Sequence, residues 1–262
     1  MIPKEWRGVE IPQYNLDVWK PSDVSSIARL EKACWAPWLR RPEQHIATIA
    51  EKFPQTQLLV RNQQGTILAA MTANRINWDG KPTSLPTWDT VARGSEAASD
   101  YTQTYTPNGN TLCLLSSAID PTVQGKRLAP QLIEGMKAVA KELRVDHLIG
   151  PFRPSGYGEY KLEHGLIDFS KYCNMTREDG QLLDPWLRSA VRLEMKPLRI
   201  EERSMVVEVP RSTFEEYRET YYLQKWKQIE PGQWECGETG SWFVRGDHAV
   251  YIEPNIWGEL PI

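Results

Sequence analysis

"IDPTVQGKRLAPQLIEGMKAVAKELRVDHLIGPFRP", residues 119–154, is the stretch that decides the fold. Its pattern predicts the end of a buried strand, a polar turn, an amphipathic helix and a second buried strand. The apolar residues of the helix fall on one stripe, and they are Leu128, Leu132, Met136, Val139, Ala140 and Leu143. Four residues, 124–127, precede the helix at the point where its first backbone N–H groups lack partners inside the helix.

The turn at residues 124–127 combines features that suit an anionic group. Unpaired N–H groups and the positive end of the helix dipole both favour a phosphate at the start of a helix. Gly125 allows close approach of the backbone and a positive φ, and Lys126 and Arg127 add positive charge. The sequence therefore predicts a diphosphate site here. The alternative is that the glycine and the lysine serve turn geometry and solubility alone.

Composition excludes several classes of protein. The chain has 262 residues, 31 basic and 34 acidic, for a formal net charge of -3, so it presents no basic field for nucleic acid. Its start lacks the apolar region of a signal peptide, and no run of about 18 apolar residues predicts a membrane span. The four cysteines lie far apart without metal-ligand spacing. We therefore expect a cytoplasmic protein with reduced cysteines, no metal and no nucleic-acid or membrane partner.

The rest of the chain predicts further strands and helices. Residues 14–23 and 111–120 have strand patterns, and residues 56–78 predict a hairpin around Gly65. Residues 22–35 and 41–53 predict helices. Residues 189–210 predict two antiparallel strands, and residues 211–262 predict a helix followed by turn-rich strands. The long Gly-, Pro-, Ser- and Thr-rich stretch at 79–110 is typical of a functional or a floppy loop, and its Trp88, Tyr101 and Tyr105 could wall a binding site.

This order of elements resembles the GNAT acyltransferase superfamily over residues 14–210. The family's loop motif is [Q/R]-x-x-G-x-[G/A], and Gln124 and Ala129 match its ends, while Arg127 stands where the inner glycine is expected. Gly125 and Lys126 suit the frequent spelling QGKG. The resemblance implies an α/β fold with a central twisted mixed sheet, two splayed strands and flanking helices. It implies a GNAT-like domain at 1–210, with 211–262 as an extension packed on it.

The resemblance also implies a cofactor and the residues that bind it. The acyl donor would be acetyl-CoA or another acyl-CoA, with the diphosphate on the loop and the pantetheine arm between the strands at residues 111–120 and 146–154. A side chain at position 127 could crowd the phosphates or grip them. The implied cofactor-binding residues are Ala118, Ile119, Gln124, Gly125, Lys126, Arg127, Leu128 and Ala129.

Catalytic residues follow from the same resemblance. Backbone N–H groups near residues 115–118, where family members carry a bulge, would stabilise the oxyanion, and Ser116 could assist or could merely cap the splayed edge. The acid for the leaving thiolate would be Tyr160 or Tyr157, unless these pack structurally. No acid lies on the strand before the loop, so the general base stays open. Candidates are Glu159, His164, Asp184 and Asp89, and Arg153 could bind a substrate carboxylate.

Three functions are consistent with these patterns. The first is an acyl-CoA-dependent N-acyltransferase that acts on a small-molecule or peptide amine as a monomer or homodimer. The second keeps the fold without amine transfer, as a thioester decarboxylase, a carrier-protein-dependent acyl handler or a binding module. The third is a purely structural or interaction protein. Fold alone does not identify the acceptor.

Overall fold

The computed structural model describes residues 14–94, 100–222 and 225–262. The chain divides into two compact units, which comprise residues 1–150 with 259–262 and residues 151–258. The boundary predicted between residues 210 and 211 lies inside the second unit. Within the described ranges the chain forms ten strands and eight α-helices, so the predicted mixed α/β class is confirmed.

The elements follow the chain in this order. The strands are β1 (Tyr14–Val18), β2 (Gln57–Asn62), β3 (Ile67–Ile76), β4 (Thr111–Ile119), β5 (His147–Phe152), β6 (Lys196–Pro210), β7 (Lys227–Glu230), β8 (Gln233–Glu235), β9 (Ser241–Arg245) and β10 (His248–Leu260). The helices are α1 (Val24–Cys34), α2 (Glu43–Lys52), α3 (Trp88–Arg93), α4 (Leu128–Leu143), α5 (Tyr157–His164), α6 (Phe169–Cys173), α7 (Pro185–Arg192) and α8 (Arg211–Thr220).

The sheet of the first unit runs in the order β1-β2-β3-β4-β5. The first three pairs are antiparallel, and β4 pairs with β5 in parallel. A parallel pair needs a crossover connection, and α4 supplies it. Strand β3 is almost entirely buried, as its run of small and apolar residues requires of a strand covered on both faces.

Helix α4 packs with the stripe that the sequence predicts. Six of its buried residues are apolar side chains, and they are Leu128, Leu132, Ile133, Met136, Val139 and Ala140. Gly135 brings the helix close to the sheet, because a Cβ added there would lie 2.6 Å from Leu58 Cδ1 and 3.1 Å from Leu16 Cδ2. The helix is thereby fixed over β1 and β2, and its first turn is fixed with it.

The second unit has its own strand order. Strands β10, β9, β8 and β7 follow one another as neighbours, and β6 pairs with β10. The pairs β9–β10, β8–β9 and β7–β8 are antiparallel. Aromatic rings fill the core between this sheet and α8, where Trp242 is completely buried and lies 5.3 Å from Phe214 between ring centroids.

The prediction of two antiparallel strands at residues 189–210 is wrong. Residues 189–192 belong to α7, and Lys196–Pro210 is a single strand of 15 residues. Helix α7 begins because the Asp184 carboxylate accepts from the backbone N–H groups of Trp186 and Leu187, and Pro185 occupies the first turn. Asp184 and Pro185, which signal the start of a helix, precede residues 189–210 in the sequence.

Cys113, Cys173 and Cys236 are buried thiols and Cys34 is half-buried, and all four are free. Among the described residues no cluster of three His, Cys, Asp or Glu side chains is placed to hold a metal ion. A search of the same residues finds no helix with the length and apolar character needed to cross a membrane.

Candidate active site

Strands β4 and β5 separate partway along their length. They pair only where Thr111, Leu112 and Cys113 face His147, Leu148 and Ile149, although β4 continues to Ile119. At the point of separation a Cβ added to Gly150 would lie 3.0 Å from Leu114 Cβ, so a glycine is needed for the strands to come this close. Beyond it the β5-facing edge of β4 is released from the parallel ladder, which is the splay that the resemblance implies.

A bulge lies on β4 just after the separation. Thr72 of β3 is opposite Ser116 and Ala73 is opposite Leu114, so Leu115 is the extra residue. The Trp88 indole Nε1 donates to the Leu115 carbonyl at 2.9 Å. The prediction of a bulge in the middle of this strand is confirmed, and the 79–110 segment reaches it through Trp88.

The loop between β4 and α4 is held open by a turn at its start. The Asp120 carboxylate accepts from the backbone N–H of Thr122 at 2.8 Å and from its hydroxyl at 2.6 Å. Val123 is buried and anchors the turn, whereas residues 124–127 are exposed. Gly125 has φ +80°, and a Cβ there would meet nothing within 4 Å, so the backbone angle and not the space calls for glycine.

Most amide groups of this loop are available to a ligand. Within the part of the chain that the structure describes, no hydrogen bond is recorded for the N–H groups of residues 124, 125 and 127–129, and only Lys126 N bonds back, to Val123 O. No side chain caps the start of α4. Since Pro130 has no N–H, the free donors of the first turn are those of Leu128 and Ala129, together with the loop amides.

Arg127 occupies its position in a left-handed backbone conformation. Its φ of 61° and ψ of 26° are the angles that a glycine adopts freely and that cost other residues about 1–2 kcal/mol. The glycine of the family motif therefore has a conformational reason, and the chain meets the same conformation with arginine. The Arg127 side chain is exposed, so it stands at the rim of the loop.

Arg127→Gly is expected to stabilise the fold by about 1 kcal/mol, because relief of the left-handed strain exceeds the entropy that glycine adds to the unfolded chain. Affinity for CoA should fall by less than about tenfold, since an exposed ion pair contributes about 1 kcal/mol or less. Urea denaturation and calorimetric titration with CoA measure the two effects. Arg144→Gly is the control, because Arg144 is left-handed at the other end of α4, with φ 51°. The Arg144→Gly variant should be more stable and should keep its affinity for CoA. A similar loss of CoA affinity in both variants would contradict a role for the Arg127 charge.

A buried polar cluster backs the bulge. Arg41 Nη1 lies 2.8 Å from Glu31 Oε1, and Arg41 Nη2 donates to Thr72 Oγ1 at 2.9 Å and to Ser116 Oγ at 3.2 Å. The side chains of Arg41 and Glu31 are each 5% exposed. Burial lowers the pKa of the Arg41 guanidinium, but the Glu31 carboxylate paired with it opposes this, and its pKa stays above the ordinary value.

The structure places the predicted residues of the first unit in two groups. Ser116 stands at the bulge and is half-buried. Ala118 is buried and Ile119 is half-buried at the end of β4, where they pair with Ala70 and Ala69. Residues 124–129 follow directly. The chain thus brings the bulge, the free edge of β4 and the open loop into one continuous path.

The tyrosine candidates lie in the second unit and differ in their surroundings. Tyr157 is buried, its hydroxyl donates to the Ile167 carbonyl at 2.8 Å, and burial raises its pKa above the ordinary value. Tyr160 is half-buried, with its ring 4.5 Å from His164 and 5.3 Å from Tyr172 between centroids. The Tyr157 hydroxyl is thus committed to the backbone.

The acidic candidates and Arg153 have protein partners. Glu159 is exposed and forms an ion pair with Lys225. Asp184, 1% exposed, caps α7 and accepts from the Gly156 N–H at 2.7 Å. Arg153 forms ion pairs with Glu238 and, at 3.0 Å, with Glu253. These contacts give Asp184 and Arg153 structural roles inside the second unit.

Sequence reasoning missed Arg41, Glu31 and Thr72. Arg41 precedes Pro42 at the start of α2, and nothing in its neighbourhood distinguishes it from a solvated arginine. A weak signal lay in Glu31, because it stands one position after Leu30 and four after Ile27 on α1, within the helix face that is buried. Burial of charge is otherwise a tertiary property.

Comparison with known proteins identifies the fold. No protein-family model and no curated protein matches the chain. Among solved structures, the loading GNATL domain of CurA from Lyngbya majuscula has TM-score 0.58 and 22% identity, over 71% of this chain and 86% of that one. The GphF GNAT-like decarboxylase in complex with isobutyryl-CoA has TM-score 0.59 and 19% identity, over 91% and 98%.

An N-acetyltransferase is also among the matches. The ribosomal-protein-S18-alanine N-acetyltransferase from Escherichia coli has TM-score 0.45 and 12% identity, over 95% of this chain and 94% of that one. A mixed sheet with a splayed central pair, a bulge and an open loop before a helix defines the class. The first two of these structures show that the protein has the GNAT fold, so the fold predicted from the sequence is confirmed. At these identities the likeness establishes the fold, so the reaction must be argued from the site.

Proposed function

We propose that this protein is an enzyme that binds an acyl-CoA thioester and transfers its acyl group to an amine, as an N-acyltransferase of the GNAT type. The observation that carries the proposal is the exposed loop at 124–127 with the first turn of α4, whose uncommitted amides follow the strand that separates from its neighbour. Backbone donors at the start of a helix suit a diphosphate, and a released strand edge suits the amide groups of a pantetheine arm. Acyl-CoA supplies the activated acyl group.

Each part of the first unit has a role in this proposal. The amides of residues 124, 125 and 127–129 bind the diphosphate, and the Lys126 and Arg127 side chains add charge at the rim. Ala118 and Ile119 line the path of the pantetheine arm at the end of β4. The thioester carbonyl lies at the bulge, where backbone N–H groups and the Ser116 hydroxyl stabilise the negative charge that develops on its oxygen.

Among the tyrosines, we assign the acid for the leaving thiolate to Tyr160. Its ring is half-buried, whereas the Tyr157 hydroxyl already donates to a backbone carbonyl. Glu159, the predicted base in the same helix, is exposed and paired with Lys225. The acceptor amine is therefore proposed to arrive neutral or to lose its proton to water.

A second candidate function is acyl-thioester chemistry without an amine, such as decarboxylation of the acyl group. The charged side chain that touches the bulge is a guanidinium, and β4 carries no carboxylate. A guanidinium favours an anionic transition state and disfavours an incoming ammonium. This observation keeps the second candidate beside the first.

The proposal is tested with a panel of acetyl-, isobutyryl- and malonyl-CoA. A ligand that binds the native state raises the unfolding temperature, so a shift of several degrees at millimolar thioester is expected. Thiol release that requires an added amine supports N-acyl transfer, and loss of carbon dioxide from malonyl-CoA without an amine supports the second candidate. Acyl-pantetheine that works as well as acyl-CoA would point to an acyl carrier protein as the donor. The absence of any shift would overturn both candidates.

Tyr160→Phe is expected to lower kcat by about 100-fold and to leave acetyl-CoA affinity unchanged, because a general acid acts on the leaving group. Steady-state thiol release and calorimetric titration measure the two quantities. Tyr172→Phe is the matched control, since the Tyr172 ring contacts Tyr160 while its hydroxyl is within 3.2 Å of Asp184. Equal losses in both variants would show a packing role, and a loss on Tyr157→Phe alone would transfer the acid role to Tyr157.

A further inference from the structure

We propose that Arg41, fixed by Glu31, is a positioning residue that turns the Ser116 hydroxyl into a hydrogen-bond donor for the thioester carbonyl. The proposal rests on the function proposed above, and it assigns a task to a buried ion pair that the sequence did not single out. All of its residues lie in the first unit. It is carried by the contacts of one guanidinium.

The Arg41 guanidinium links helix α1 to two neighbouring strands, β3 and β4. On one side it meets Glu31 of α1, and on the other it donates to Thr72 of β3 and Ser116 of β4. The two hydroxyl oxygens lie 3.1 Å apart. One cationic group therefore contacts both members of the register pair that flanks the bulge.

Arg41 is held in a single position. Glu31 uses both carboxylate oxygens on it, accepting from the side chain through Oε1 and from the Arg41 backbone N–H through Oε2 at 3.1 Å. Pro42 restricts the backbone of the preceding residue to extended conformations. Tyr101, 1% exposed, lies beside the guanidinium, and burial raises its phenol pKa, which keeps it neutral. A fixed cation costs no reorganisation during a reaction.

The hydroxyl protons can be assigned from this arrangement. A guanidinium only donates, so the oxygens of Thr72 and Ser116 both accept from Arg41. Thr72 is 1% exposed and must use its proton inside the protein, where the oxygens of Ser116 and Tyr101 both lie beside it. We take Ser116, at 3.1 Å, as the acceptor. Ser116 then accepts twice, and its own proton is directed to the partly open side of β4.

Two effects make this proton a better donor to an oxyanion. Hydrogen bonds in a chain polarise one another, and a positive charge behind the Ser116 oxygen favours partial negative charge on it. Removal of a donor of this kind costs about 10²–10³ in kcat. Arg41 itself need not touch the thioester, because it acts through Ser116.

The competing explanation is that the ion pair only ties α1 to the sheet. Breaking a buried pair from one side is strongly destabilising, so a single neutral substitution at Arg41 could fail to fold and decide nothing. Glu31→Gln with Arg41→Gln removes both charges together and avoids an unpaired one. Arg41→Lys keeps a positive charge beside Glu31, but its single nitrogen on a shorter side chain replaces the separate Nη1 and Nη2 groups that serve Glu31 and the two hydroxyls.

The experiment is a double-mutant cycle on thiol release from acetyl-CoA. Ser116→Ala is expected to lower kcat by about 100-fold, and the double variant Glu31→Gln/Arg41→Gln is expected to lower it by about tenfold. The triple variant should lose no more kcat than Ser116→Ala alone. KM should stay within about twofold of the wild-type value in every variant. Arg41→Lys should lower kcat by about fivefold while unfolding stays close to wild type. Factors that multiply in the triple variant, or an Arg41→Lys protein with wild-type kcat, would overturn the proposal.

A second ion pair of the first unit is the control. Arg61 Nη2 lies 2.6 Å from Asp23 Oδ2, with side chains 19% and 7% exposed. Arg61→Gln with Asp23→Asn should lower stability and leave kcat unchanged. If the pair at 31 and 41 fails to fold, the Arg41→Lys result decides alone. A wild-type chain that releases no thiol refutes the proposed function and this inference with it, whereas an active wild type with multiplying factors refutes only the inference.

Discussion

Gly125→Val is expected to abolish the rise in unfolding temperature that CoA gives the wild-type protein. Gly125 has φ +80°, a conformation that β-branched residues avoid. Valine forces the backbone out of this region or imposes strain of about 1–3 kcal/mol, so the amides of residues 124–129 no longer converge on a diphosphate. We expect a loss of more than about 100-fold in CoA affinity, equivalent to about 2.7 kcal/mol of lost amide contacts. Thermal unfolding with and without CoA, followed by calorimetric titration, measures it.

Gly65→Val is the matched control for this experiment. Gly65 lies in the turn between β2 and β3 with φ +83°, and a Cβ there also meets nothing within 4 Å. Both substitutions therefore impose the same backbone penalty in open space within one unit. The two variants should lose similar stability, but the Gly65 variant should keep the full CoA shift. A Gly125 variant that still responds to CoA would remove the loop from the proposed binding site.

The sequence predicted the elements whose burial follows a simple period. The stripe of α4 repeats at helical spacing, and its members are buried as expected apart from Leu143, which is half-buried. Strand β4 was recognised as a near-continuous apolar run, and the hairpin of β2 and β3 turns at Gly65. These features are local, so a single sequence is sufficient to find them.

The segment 185–210 shows where local patterns mislead. Residues 189–193 contain branched and apolar side chains that suit a strand, yet they belong to or follow a helix that begins at Pro185. The Asp184 cap and the dipole of a short helix outweigh the weak strand preference of its last residues. Attention to Asp184 and Pro185 as start signals would have corrected the prediction.

The site itself was only partly predictable. The loop glycine could be located because backbone conformation depends on residue types near in sequence, and the bulge because members of the family that the sequence resembles carry one in this strand. The contact of Arg41 with Ser116 joins residues 75 positions apart, and that of Trp88 with Leu115 joins residues 27 apart. Such contacts depend on packing of α1 and the 79–110 segment against the sheet, which no short pattern encodes.

The loop at 124–127 and the Arg41 cluster differ in their exposure to solvent. The loop is exposed, so a ligand can use its amides at little cost in desolvation of side chains. The cluster is buried, where a fixed charge acts with less screening by water. These environments support the binding role proposed for the first and the role in reactivity proposed for the second.

Lys161→Met is expected to destabilise the second unit strongly. The Lys161 ammonium lies 2.5 Å from Glu235 Oε2 and donates to the carbonyls of Thr239 and Gly240 and to Ser241 Oγ. Lys161 and Glu235 side chains are 2% and 0% exposed. Methionine fills the same space but leaves a buried carboxylate without its cation, at a cost of about 3–5 kcal/mol. Urea denaturation followed by circular dichroism measures the loss.

An exposed ion pair that involves the same helix, α5, provides the control. Lys225 pairs with Glu159 of α5, and the two side chains are 45% and 48% exposed. Lys225→Met should cost less than about 1 kcal/mol, because water solvates the carboxylate that is left. Adding Glu235→Gln to Lys161→Met should recover part of the loss by removing the buried charge. Equal losses for Lys161→Met and Lys225→Met would mean that α5 is not anchored through Lys161, and that water reaches Glu235.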